Sequence, residues 1–185
     1  EAWHQYAQTF MVLGRFPEAL KTYGRVMELD APLPLALVAT AAIHWRERRV
    51  EEARRFLDSA VAQADGVAAP YALAVRGMFL LEQGDAAAAA AGGRRALALD
   101  SSYAVPARGT LARALLALGD TAAAAAALAR LEAQVDTLHP SPTEALWLGP
   151  VLADFGRREA ALRLVERAEP RGAQLWVSLA SPTFD

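Results

Sequence analysis

The chain has 185 residues and no cysteine, so disulfides and thiolate metal sites are excluded. A thiol-free chain fits a reducing compartment, and the expected location is cytoplasmic. Long apolar runs are also missing: none approaches the roughly 20 residues that span a bilayer. Neither sign of charge is in excess, since 19 basic and 21 acidic side chains leave a net charge of −2. That balance gives no electrostatic reason to expect nucleic acid or a membrane surface as a partner. The hydrophobic content of 54% rests heavily on alanine, which favours helix more than it supplies core volume.

Reactive chemistry is absent too. There is no Gly-rich phosphate loop, no paired-histidine motif and no nucleophile elbow. His4, His44 and His139 lie far apart. Glu51, Glu52, Glu159 and Glu166 sit on patterns that read as solvated helix faces. Arg46, Arg48, Arg49, Arg54 and Arg55 form a basic run, but Glu47, Glu51 and Glu52 interleave with it. The sequence therefore predicts no catalytic residue, no metal site and no cofactor, and the chain is not expected to be an enzyme.

What is present is helical periodicity. Trp3, Tyr6, Phe10 and Leu13 recur every three or four residues and share one helix face. Gly14 is the residue type that ends a helix in the left-handed conformation. Pro17 falls near the start of the next pattern, where its missing N–H costs little. Ala19, Tyr23 and Val26 then mark the inner face of a second helix. Two short amphipathic helices joined by a tight turn cannot bury their apolar faces alone and must stack on another pair.

The same beat returns along the chain. Ala19, Ala53, Ala89, Ala124 and Ala161 are 34, 36, 35 and 37 residues apart. Ala7, Ala41, Gly77, Ala112 and Gly149 mark each first helix, and Gly14, Gly84, Gly119 and Gly156 mark the turns, with Arg48 the exception. Small residues at these points let helix axes approach, where a larger side chain would cost about 1–3 kcal/mol by overpacking.

The stretch from Ala2 to Ala31 resembles a tetratricopeptide repeat, whose signature is W-x2-L-G-x2-Y, then A-x3-F, then P. Trp3, Ala19 and the helix–turn–helix spacing carry the resemblance. Tyr6 replaces the usual Leu, Ala7 the Gly, Tyr23 the Phe, and Pro32 comes one residue late. It implies an all-α, right-handed superhelical solenoid of antiparallel helix pairs. The repeats are expected over about 2–31, 35–64, 71–100, 104–135 and 143–168, closed by a terminal helix over 173–181.

The family's register also implies a groove lined by first helices. His4, Gln8 and Met11 would contribute from the first repeat, and Val38, Ala42, Trp45 and Arg46 from the second. Tyr71, Ala74, Met78 and Leu81 would follow from the third, and Arg113 and Leu116 from the fourth. Aromatics and Arg dominate binding hot spots, and Met surfaces adapt to partners. Truncating Trp45 and Tyr71 is accordingly expected to abolish partner capture without altering the melting curve. Some family members clamp a C-terminal carboxylate at places held here by His4, Gln8, Ala39, Tyr71 and Val75. Only Gln8 keeps an amide, so that activity is not implied.

Several local expectations follow from departures. His44 occupies an aromatic place and reads as a buried, hydrogen-bonded core histidine. Gly92–Gly93 reads as a gap, a close helix contact or a weak spot. Ser101 or Ser102, and Thr121, are the expected helix caps. Residues 136–144, which include Pro140 and Pro142, are expected to form an irregular loop. Pro150 should kink or split its helix.

The functional expectation is a protein-interaction scaffold that binds a peptide or helix in its concave groove. Two alternatives remain open: the regulatory arm of a bacterial signalling protein (a transcription regulator, cyclase or kinase), and a small-ligand module. The first rests on the closing SLASPTFD and on Ala- and Arg-rich usage. The chain opens at Glu1 inside a repeat, which reads as a piece of a longer protein. Exposed array ends would then allow self-association.

Overall fold

Ten helices are found among the described residues: α1 (Ala2–Val12), α2 (Phe16–Leu29), α3 (Pro34–Arg46), α4 (Val50–Gln63), α5 (Ala68–Glu82), α6 (Ala86–Leu99), α7 (Ala104–Ala117), α8 (Thr121–Leu138), α9 (Pro142–Asp154) and α10 (Arg158–Arg167). The computed structural model describes residues 2–29, 34–66, 68–99, 104–138 and 142–167. The terminal helix expected over 173–181, the caps at Ser101 and Ser102, and His139 all lie outside them. The fold is an all-α solenoid of helix pairs, each first helix packed on its own second helix. Successive first helices also stack, α3 on α5, α5 on α7 and α7 on α9.

The small-residue beat is the contact pattern of this stack. Ala7, Ala19, Ala41, Ala53, Ala89, Ala112 and Ala124 are fully buried, Ala161 nearly so, and Gly77 and Gly149 are buried with them. A Cβ on Gly77 would lie 2.7 Å from Cγ2 of Thr110, and one on Gly109 would lie 2.9 Å from Cγ2 of Val151. Gly93 is a close helix contact, because its Cβ would meet Leu111 Cβ at 3.1 Å and the Ala107 carbonyl at 3.2 Å.

Every turn inside a pair has the same hydrogen bonds. After α1, Gly14 N–H donates to Met11 O and Arg15 N–H to Phe10 O, the two bonds of a Schellman end. The pattern repeats at 48–49, 84–85, 119–120 and 156–157. The motif needs one left-handed residue. Gly14, Gly84, Gly119 and Gly156 supply it, and Arg48 adopts φ 61° in the same place.

Three expectations are corrected. Asp120 caps α8 instead of Thr121, its carboxylate accepting from Ala123 N–H at 3.1 Å; Asp85 does the same for α6. Most of the loop expected over 136–144 is helical, since α8 runs to Leu138 and α9 begins at Pro142. Pro at the first helical position loses no intrahelical bond, so it starts α9 where a loop was anticipated. Of the two outcomes expected at Pro150, the split does not occur, since α9 continues to Asp154. Leu148, Val151 and Leu152 flank it in one buried cluster with Leu128 and Leu131, and that packing holds the helix across the missing N–H.

Candidate functional site

First helices carry the groove residues in the family's register, and packing decides which of them reach the surface. Six of the expected residues do not. Met11, Val38, Ala74 and Met78 are buried, and Trp45 is only 2% exposed. The Trp45 ring meets Phe79 edge-on at 5.5 Å, inside the cluster that holds Leu37, Leu57 and Val75. Ala42 is buried as well. The whole of α3 from Ala36 to Trp45 is buried, so the expectation that these side chains face a partner is corrected: here they are core. α3 is covered by α2, α4 and α5, and for Ala74 and Met78 of α5 the close approach of α7 at Gly77 adds to the cover. With little side-chain volume between them, α5, α7 and α9 draw together and cover one another.

The other seven residues lie nearer the surface. His4 and Gln8 are half-buried on α1, with Gln8 Nε2 donating to His4 Nε2 at 3.1 Å. That bond leaves the ring proton on Nδ1, which is buried without a partner. Burial also holds the His4 pKa below the usual histidine value. The ring meets Tyr23 edge-on at 5.7 Å, and burial pushes the Tyr23 phenol well above its ordinary range. Desolvation is the largest cause of both shifts. Tyr71 and Leu81 are half-buried against the central cluster.

Arg46 is exposed at the last position of α3. Leu81 and Leu116 stand one residue before the ends of α5 and α7. Arg113 Nε donates to Asp154 Oδ2 at 2.5 Å, tying α7 to the end of α9. Arg46, Leu81, Arg113 and Leu116 stand toward the C-terminal ends of three successive first helices, with Asp154 at the end of a fourth, while the half-buried His4, Gln8 and Tyr71 lie away from those ends. Sequence reasoning missed Asp154. It stands five residues after Gly149, as Arg46 stands five after Ala41, and that register was the available signal.

His44 is buried, as its place in the pattern implies, and stacks on Phe56 at 5.2 Å. Its Nδ1 makes no hydrogen bond, so the expected bonded histidine is corrected at that atom. Desolvation lowers its pKa, with Arg49 adding to the effect and Glu52 and Glu47 opposing it. Among the described residues no three His, Cys, Asp or Glu side chains come together to hold a metal. No described helix is long and apolar enough to cross a membrane.

Residues 6–68 match the profile of the tetratricopeptide repeat family. No curated protein matches the chain closely enough to serve as a relative. Solved structures do. A thermophilic tetratricopeptide repeat protein of Thermus thermophilus is 20% identical, with a TM-score of 0.64 over 96% of this chain and 98% of its own. YrrB, a tetratricopeptide repeat protein with an unusual peptide-binding site, is 18% identical, with a TM-score of 0.58 over 96% and 88%. MamA is 18% identical, with a TM-score of 0.58 over 88% and 91%. At such identities the likeness speaks for the fold alone. Residues 6–68 thus carry the tetratricopeptide repeat family's profile, and the helix-pair fold of the solved tetratricopeptide repeat structures runs on through the pairs that follow.

Proposed function

We propose that this array holds a peptide or helix of a partner protein along the turn ends of its first helices. The supporting observation is the row formed by Arg46, Leu81 and Leu116, beside the Arg113–Asp154 ion pair. It offers aliphatic contact flanked by charge of both signs. Such a mixture suits a partner segment with an apolar stripe and a polar edge. The buried first helices behind it, α3 and α5, act as a rigid backing. Among proteins of this fold, YrrB carries what is described as an unusual peptide-binding site, so the fold holds peptides in more than one way.

Photo-crosslinking residues placed at Leu81 and Leu116, and as a control at Arg94, test the reading in an extract of the source cells. One protein should crosslink at the first two positions and not at the third. Arg46→Glu combined with Leu81→Asp should abolish that product while the melting curve stays close to that of the parent. Crosslinking of equal strength at all three positions, or capture that survives the double variant, would contradict the proposal.

A further inference from the structure

One first helix carries a charge where its predecessors carry a core leucine. Four residues before the buried small residues Ala41 and Gly77 stand Leu37 in α3 and Leu73 in α5, each 4% exposed. Leu73 packs in one cluster with Val61 of the preceding second helix. Four residues before Ala112, α7 has Arg108. Its side chain is half-buried, and its Nε–H is buried without a hydrogen-bond partner among the described residues. A guanidinium set in a leucine's place loses solvation, and an anion held against it restores that loss.

The repeat register brings two more arginines to the same place. In the preceding pair, Asp58 of α4, Leu73 of α5 and Arg95 of α6 line one open trough. They stand five residues after Ala53, four before Gly77 and six after Ala89. One pair further on, those three places hold Arg94 of α6, Arg108 of α7 and Arg130 of α8. α7 packs on both of these second helices. In the preceding trough Arg76 Nε donates to Asp58 Oδ1 at 2.6 Å, so a carboxylate offsets one of the cations. Here Arg94 takes the place of Asp58, and Leu111 that of Arg76.

The described carboxylates of this region are engaged elsewhere. Between residues 86 and 133 they are Asp120 and Glu132. Asp120 caps α8 by accepting from Ala123 N–H, and Glu132 pairs with Arg157 at 3.3 Å. Arg94 and Arg130 are exposed, so a ligand reaches the three guanidinium groups from solvent.

We infer that Arg94, Arg108 and Arg130 form an anion site that takes the phosphoryl group of a phosphate monoester. Such a group carries a charge of about −1.5 to −2 at pH 7 and three strong acceptor oxygens. Guanidinium forks engage those oxygens in pairs. A phosphodiester carries a single charge and leaves more of the cationic charge unmatched. Free phosphate and a phosphorylated serine or threonine side chain share the required chemistry. The site has no residue in common with the turn-end row, so either reading can fail alone.

The test is NMR titration of the protein at constant ionic strength, followed at the Arg108 Nε–H. The ligands are inorganic phosphate, N-acetyl-phosphoserine amide and dimethyl phosphate. Saturable shifts in the millimolar range are expected with the first two. Dimethyl phosphate should bind about tenfold more weakly, and Arg94→Gln and Arg130→Gln should each weaken phosphate binding about tenfold, as for loss of a charged hydrogen bond. Arg108→Leu installs the residue that α3 and α5 carry at that place, and phosphate should raise its melting temperature less than it raises that of the parent. Tighter binding of the phosphoserine amide than of inorganic phosphate assigns the site to a phosphorylated side chain, and the reverse order assigns it to the free ion. The inference is overturned if the Arg108 Nε–H does not move at tens of millimolar phosphate, the result expected where Asp100 of this chain already holds that arginine. Binding undiminished by Arg94→Gln and Arg130→Gln, or equal stabilisation of Arg108→Leu and the parent by phosphate, would overturn it as well. Dimethyl phosphate binding as tightly as the monoesters would overturn the assignment to a dianion.

Discussion

The first helices α1 and α3 share a repeat position and a pattern, yet they are buried to different depths. In α3 every residue from Ala36 to Trp45 is buried. In α1 Trp3 is 46% exposed and Tyr6 52%, although both belong to the stripe that periodicity marks as apolar. The buried side chains of α1 are Ala7 and Met11. Position in the stack explains the contrast. Leu73, the α5 equivalent of Trp3, is covered by Val61 of the preceding second helix, whereas the Trp3 ring meets Tyr6 of its own helix edge-on at 6.2 Å. The aromatic stripe instead packs on itself, Tyr6 against Phe10 at 4.6 Å and Arg15 over the Phe10 ring at 4.8 Å. Periodicity thus reports which face is apolar, and the neighbours determine whether that face is core.

The sharpest way to break the comparison is to truncate a tryptophan in each helix. Trp45→Ala should cost about 3–5 kcal/mol, the usual range for emptying a buried aromatic site. Trp3→Ala, at an exposed site, should cost less than about 1 kcal/mol. Urea unfolding of the two variants measures the difference, and equal losses would contradict the assignment of Trp45 to the core.

Glycines sharpen the account of how the first helices close together. Gly77→Ala should destabilise by about 1–3 kcal/mol, because its new methyl collides with Thr110 Cγ2. Adding Thr110→Ser removes that methyl and should restore much of the loss. Gly92→Ala meets only ordinary contact and should stabilise by up to about 1 kcal/mol through helix propensity. Thermal melts of the three variants check the order.

The shared turn gives a smaller effect. Arg48 alone among the described non-glycine residues has a positive φ. Arg48→Gly should raise stability by roughly 1 kcal/mol, since an L side chain costs about that much in the left-handed region. The same substitution in the other direction at Gly84 should lower it. A melting temperature unchanged by Arg48→Gly would mean that the arginine side chain compensates its own strain.

Acid gives the smallest effect. Burial lowers the pKa of His44, so the folded state binds fewer protons than the unfolded chain below about pH 6.5. Stability supplied by the neutral ring is therefore complete above that pH and is lost as pH falls toward the depressed folded value. His4 acts in the same direction. His44→Phe should reduce the loss of melting temperature between pH 8 and pH 5, and an unchanged loss would place the titration elsewhere.

Much of this architecture was legible in the residues themselves. The recurring alanines and glycines located the contacts, and the turn glycines located the left-handed residues, including the one place where Arg48 substitutes. The groove was not legible to the same degree. Register names the residues on the inner side of a first helix, but their exposure depends on how closely the next first helix approaches. That distance is set by pairs remote in sequence, Gly77 with Thr110 and Gly109 with Val151.

The central claim is that Val38, Ala42, Trp45, Ala74 and Met78 on the first helices are core, and that the turn end at Leu116 is open. A chain without cysteine tests it cleanly with single thiols. Ala42→Cys and Ala74→Cys should react with a thiol reagent only as fast as the array opens, whereas Leu116→Cys should label far faster, near the rate of an accessible thiol. Labelling of the Ala42→Cys and Ala74→Cys thiols as rapid as that at position 116 would contradict the account.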